Sequence, residues 1–277
     1  MRTIKLTLMY DGTRYVGWQA QPNGVSIQAL LQKAVCRMTG KETPVIGASR
    51  TDAGVHALGQ VAHFRTSMDV LCDGFKMGLN SLLPEDIAVV GAEEAAEGFN
   101  SRRDAKGKRY LYRLLISGER RPLIMNRFWQ MGVRPGLDRL REAASVLVGK
   151  HDFASFKAAG CSSRNAVREI KNIEITHSFP SPLRGEGQGE GGNCNRVTLP
   201  PTPSHQGREN CDEIIDITIE GNGFVRHMVR NIVGTLVDIG LGKIELDAIK
   251  GILEARRREQ AGRCAPACGL YLMEVLY

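Results

Sequence analysis

Nine consecutive residues, Ala48-Ser49-Arg50-Thr51-Asp52-Ala53-Gly54-Val55-His56, place a carboxylate, a guanidinium, two hydroxyls and an imidazole on one short stretch. Strand-like runs flank it, Thr43 to Gly47 before and Gln60 to Thr66 after. Reactive groups crowded on a connection between rigid elements are where sites usually lie. Asp and Gly are also ordinary turn residues, so a plain turn over Thr51-Asp52-x-Gly54 suits the same letters. His56 could carry a proton or simply hydrogen-bond within that turn.

Two further groups could belong with the loop. An apolar run from Phe224 to Ile239 has helical spacing and carries Arg226 and Arg230 four residues apart. Like charges at that spacing are mildly unfavourable, and a cation at the edge of a core calls for an anion nearby. Phosphate or a carboxylate would serve, and Asp52 is the carboxylate of most interest. In Lys108-Arg109-Tyr110-Leu111-Tyr112-Arg113 the alternation puts both tyrosines on one face of a strand and Arg109 and Arg113 on the other. Aromatics beside cations suit base stacking and phosphate contact, and equally the lid of a core.

The elements that must hold these groups follow from the patterning. Ile4, Leu6, Leu8 and Tyr10 alternate with polar residues as in a half-buried strand. Ser26 opens a helix that Gly40 closes, a second helix runs from about Val70 to Leu82, and Asp86–Glu94 is another strand. A similar order recurs: a strand over Arg109–Ile116, a helix over Leu137–Val148, and strands over Val167–Thr176 and Asp212–Glu220. Helices over Phe224–Ile239 and Leu246–Arg256 and a closing strand over Leu270–Tyr277 complete it. Helices are too few for a doubly wound parallel sheet. The expectation is an α+β fold, with helices on one side of largely antiparallel sheet. Its two similar lobes would comprise residues 1–102, with the Asp52 loop, and residues 103–277.

The chain has 277 residues, 42% hydrophobic and 24% charged, enough to bury a full core. No apolar run reaches membrane-spanning length, and the start alternates where a signal segment would be apolar. Seven scattered cysteines fit reduced thiols, so the expected compartment is the cytoplasm. The net charge is +7, and from Arg102 to Arg121 eight basic residues face two acidic ones. Such a patch suits a polyanion, or forms a solvated face. Residues 178–212 hold five Pro and six Gly, too little apolar surface to order, and read as a disordered insert in a hairpin. Cys194, His205 and Cys211 within it, and the lone pair Cys264 and Cys268, lack the paired spacing of a metal site. Phosphate-cradling loops, dinucleotide fingerprints and His-Glu-x-x-His are missing from the sequence.

The motifs occur in a definite order. Tyr15-x-Gly17-Trp18-Gln19 precedes Arg50-Thr51-Asp52-Ala53-Gly54-Val55-His56, and Asn80-x-x-Leu83-Pro84 and Lys108-Arg109-Tyr110-x-Tyr112 follow. Phe224-x-x-His227-Met228-Val229-Arg230-Asn231-Ile232-Val233-Gly234 and Gly269-Leu270-Tyr271-Leu272 close the series. In this the chain resembles the TruA-type tRNA pseudouridine synthases over nearly its whole length, departing from them at the 178–212 insert. The resemblance implies an isomerase that converts uridine to pseudouridine at positions 38, 39 and 40 of the tRNA anticodon stem-loop. It implies a homodimer, two lobes around a basic cleft, and no cofactor or metal. Carried over by position, Asp52 is similar to the nucleophilic aspartate and Arg230 to the arginine paired with it. Tyr110 matches the tyrosine that stacks on the target uracil, and Arg50 the arginine that fills the space of the flipped base. Two other classes use the same residues: a non-catalytic RNA-binding protein of ferredoxin-like type, and an aspartate-dependent nucleoside glycosidase.

Overall fold

The alternation that opens the chain becomes β1 (Arg2–Tyr10), with Ile4, Leu6, Leu8 and Tyr10 buried on one face. The computed structural model describes residues 1–161, 163, 165–179 and 212–277; most of the Pro/Gly-rich stretch, with Cys194, His205 and Cys211, lies outside them. The first half continues with α1 (Ile27–Thr39), β2 (Ile46–Gly47), β3 (His56–Thr66), α2 (Cys72–Asn80) and β4 (Ile87–Ala95). The second half runs β5 (Gly107–Ile116), β6 (Trp129–Met131), α3 (Leu137–Val146), β7 (Gly149–Asp152), β8 (Val167–Ser178) and β9 (Glu213–Gly221). It ends with α4 (Met228–Gly240), α5 (Ala248–Ala255) and β10 (Leu270–Leu276).

Mixed α/β character and mostly antiparallel pairing are therefore as expected. All the strands join one sheet in the order β4-β1-β3-β10-β5-β9-β8-β7, with β2 beside β3 and β6 beside β5. Among the described strands, only β10 with β3 and β5 with β6 run parallel. The last strand thus lies between the two halves, pairing Leu272 with Ala57 on one side and with Tyr110 on the other. Opposed residues share a face, and Ile4–Phe64, Leu6–Ala62, Leu272–Tyr110 and Tyr110–Ile219 are opposed pairs. Their side chains join those of the helices in a single core.

Local chemistry sets the helix ends. Ser26 Oγ accepts from the Ala29 N–H at the start of α1, and Gly40, with φ 69°, closes it by donating to the Cys36 carbonyl. α4 buries nearly all its length, including Ile232, Val233, Leu236 and Val237, each worth roughly 1.5–3 kcal/mol. It starts at Met228, four residues later than the apolar pattern indicates, because His227 has a left-handed backbone. Arg226 consequently precedes the helix and does not stack on Arg230 within it.

One side of α4 meets chain so closely that only glycine fits. A Cβ on Gly234 would sit 1.8 Å from the Arg263 carbonyl oxygen. Gly234→Ala is expected to destabilise the protein by about 1–3 kcal/mol despite alanine's better helix propensity. Thermal unfolding checks this; an unchanged midpoint would show that the 263–265 segment yields freely.

Candidate active site

The Asp52 loop connects β2 to β3, and residues far from it in sequence hold its backbone. The Trp18 N–H donates to the Thr51 carbonyl at 3.0 Å, and the Gly54 N–H to that of Tyr15 at 3.4 Å. Gly17, at φ 107°, makes this approach feasible, since a Cβ there would lie 2.6 Å from the Thr51 oxygen. Thr51 Oγ1 bonds the buried Tyr10 hydroxyl at 2.8 Å. Gln60 clasps Ser49 twice, accepting from its N–H and donating to its carbonyl. The Val55 N–H donates to the Asp52 carbonyl at 3.2 Å, closing the turn beneath the carboxylate. The turn is thus present in these nine residues, and it carries Asp52.

His56 belongs to the scaffold. Its side chain is 1% exposed, stacked on Tyr271 with centroids 4.7 Å apart, and its Nε2 lies 2.9 Å from the Asn126 carbonyl. It is not among the residues lining the cleft that Asp52 faces.

That cleft has a volume of about 960 Å³ and draws its lining from both halves of the chain. Arg50, Arg102, Lys108, Arg168, Arg226 and Arg230 line it, and among the described lining residues Asp52 is the one carboxylate. The Asp52 side chain is 24% exposed, with Oδ2 3.8 Å from Arg230 Nη1 and 3.6 Å from His227 Nε2. Arg230 is steadied by its Nε, which donates to the Ala265 carbonyl at 2.7 Å. Tyr110 reaches the cleft from β5. Its hydroxyl lies 2.8 Å from Ser49 Oγ and its ring sits edge-to-face against Phe224. Burial pushes the Tyr110 phenol up to about 12, the Ser49 hydrogen bond opposing and the Asp52 charge adding to it, so the group stays protonated near neutrality. Lys108, on the same strand face, donates to the Ala48 carbonyl at 3.0 Å, and burial with nearby Arg102 brings its ammonium down to about 8.

The four positions singled out from sequence, Arg50, Asp52, Tyr110 and Arg230, all line this cleft. The run of cations from Arg102 to Arg121 does not enter as a unit. Arg109 is paired with Glu220 and Glu274 on the flanking strands, Arg113 with Asp216, and Arg121 with Asp212. Arg103 is held by Asp104. From that run the cleft receives Arg102 and Lys108. Sequence reasoning passed over His227 and Ser49, although both sit in stretches already quoted.

A family model described as tRNA pseudouridine synthase matches residues 7–102 and 143–277. The chain belongs to that family. Over 277 residues it is 40% identical to tRNA pseudouridine synthase A of Myxococcus xanthus, of which it covers 92%. Identity is 39% to the proteins of the same name from Thermoanaerobacter pseudethanolicus and Acetivibrio thermocellus, each covered completely. Within the tRNA pseudouridine synthase match fall Arg50, Asp52 and Arg230, whereas Tyr110 lies between its two segments. Among the described residues, no helix is long and apolar enough to cross a membrane.

Proposed function

We propose that the chain is an isomerase that converts uridine to pseudouridine in tRNA, with Asp52 as its nucleophile. The observation that carries this is Asp52, the one carboxylate among the described lining residues, beside Arg230 in a cleft that five further Arg and Lys residues line. In the reaction the C1′–N1 bond breaks and a C1′–C5 bond forms. C5 gives up a proton to solvent and N1 ends protonated, so substrate and product have the same atoms. A covalent bond from Asp52 to the nucleoside divides this into easier steps and keeps uracil from escaping. A base stacked in a stem must first be flipped out, which costs a few kcal/mol. Tyr110 offers an aromatic surface that returns roughly 1–3 kcal/mol of it. Arg50 fills the space vacated by the base.

The substrate in this reading is the anticodon stem-loop at positions 38 to 40, and the working enzyme is a cytoplasmic homodimer. Residues 1–102 and 103–277 act as two lobes, with the basic cleft between them receiving the phosphate backbone. The cations lining that cleft support this, and among its described lining residues Asp52 is the one acid.

Transfer RNA tritiated at uracil C5 tests the reading. The expected result is tritium released into water with uracil retained in the RNA. A protein that only binds RNA would release nothing, and a glycosidase would free the base; either outcome rejects the isomerase.

A further inference from the structure

His227 occupies the residue before α4 with φ 61° and ψ 4°. Among the described non-glycine residues only Arg256 shares a positive φ. Glycine would take this conformation without the strain that a Cβ brings. A histidine kept at such a point prompts the question of what its side chain does.

The imidazole makes no hydrogen bond to a described residue. It lines the cleft, 26% exposed, and what it faces is Asp52, with Nε2 3.6 Å from Oδ2. Arg230 approaches the same oxygen, and its Nε is already committed to Ala265. Neither contact has reached hydrogen-bond length; catalytic contacts of this kind tighten in the Michaelis complex. Burial lowers the His227 pKa, Asp52 opposes this, and Arg230, Arg226 and Arg258 lower it further, which leaves the ring neutral near pH 7. A neutral imidazole that carries its ring hydrogen on Nε2 is a donor without a charge.

We propose that His227 is a positioning residue for the reaction proposed above: Nε2–H donates to Asp52 Oδ2 and, with Arg230, presents Oδ1 to the nucleoside. A second arginine in its place would also orient the carboxylate, but its charge would make the oxygen a weaker nucleophile. A neutral imidazole aims the group and leaves its reactivity intact. The inference rests on the isomerase reading.

The test compares wild type, His227→Gly and His227→Gln in tritium release from C5-labelled tRNA, with rates expressed per folded protein. Glycine removes the donor and eases the backbone, so its thermal midpoint should equal or exceed that of wild type. Its kcat should fall about 10- to 100-fold, the loss expected for one hydrogen bond to a charged group, with KM within about twofold. Glutamine, whose side-chain N–H reaches a comparable distance, should restore kcat to within about threefold of wild type. A glycine variant with wild-type kcat, or a glutamine variant no better than the glycine one, overturns the positioning role. Wild type that releases no tritium overturns the isomerase reading instead, and the role falls with it.

Discussion

Asp52→Asn should abolish turnover while leaving tRNA binding in place. The substitution keeps the shape of the side chain and removes the charged oxygen to which the proposed mechanism assigns the covalent bond. Loss of a nucleophile of this kind lowers kcat by on the order of 10⁴-fold or more. The fold should tolerate the change, because Asp52 is 24% exposed and the loop backbone is held by Trp18 at the Thr51 carbonyl and by Val55 at the Asp52 carbonyl rather than by the carboxylate. Binding should hold within about threefold, since the variant removes an anion from a cleft lined with cations and leaves the phosphate contacts untouched. Tritium release and filter binding on the same preparation separate the two effects. A variant that retains a tenth of wild-type activity would reject Asp52 as the nucleophile.

The elements were legible wherever local pattern decided them. Alternation marked β1, the Ser26 and Gly40 caps marked α1, and α4 appeared through its long apolar face. The start of α4 was misplaced because Phe224 and Val225 continue the apolar spacing, while the left-handed turn at His227 leaves no trace in hydrophobicity. The position of β10 was hidden for a different reason. Its seven residues look like any closing strand, and insertion between β3 and β5 depends on partners more than 150 residues away. The short strands β6 and β7 carry too few residues for an alternation to register.

Charge was the least readable property. A count along the chain gives a strong excess of cations from Arg102 to Arg121, yet strand pairing places Glu274 and Glu220 on either side of Arg109 and Asp216 beside Arg113. These ion pairs neutralise the outer face of the sheet. The cleft's own cations come from scattered places, Arg50, Arg168 and Arg226 among them, and no window of sequence brings them together. The candidate site was legible for another reason: Asp52 and Arg230 each lie in a compact, specific motif. His227 sits in one of those motifs too, but an isolated histidine in an apolar run gives no sign of what it faces.

Arg230→Met should cripple catalysis with a smaller effect on the fold. Methionine fills much the same volume on α4, so the packing around Met228 and Val229 can persist. Two interactions disappear: the Nε–H bond to Ala265 and the approach of Nη1 to Asp52. The first is a single hydrogen bond to a carbonyl, a stability change of about 1–2 kcal/mol, visible as a modest fall in thermal midpoint. The second leaves a partly buried carboxylate without its cation and with one fewer group to aim it, and kcat should drop on the order of 100-fold or more. Arg230→Lys distinguishes charge from geometry. A single ammonium can supply a cation to Asp52 or a donor to Ala265, whereas the guanidinium fork reaches both at once. Lysine should therefore recover part of the activity and fall short of wild type. A folded methionine variant with full activity would show that Asp52 works without this arginine, and would leave the pairing seen here as no more than a surface contact.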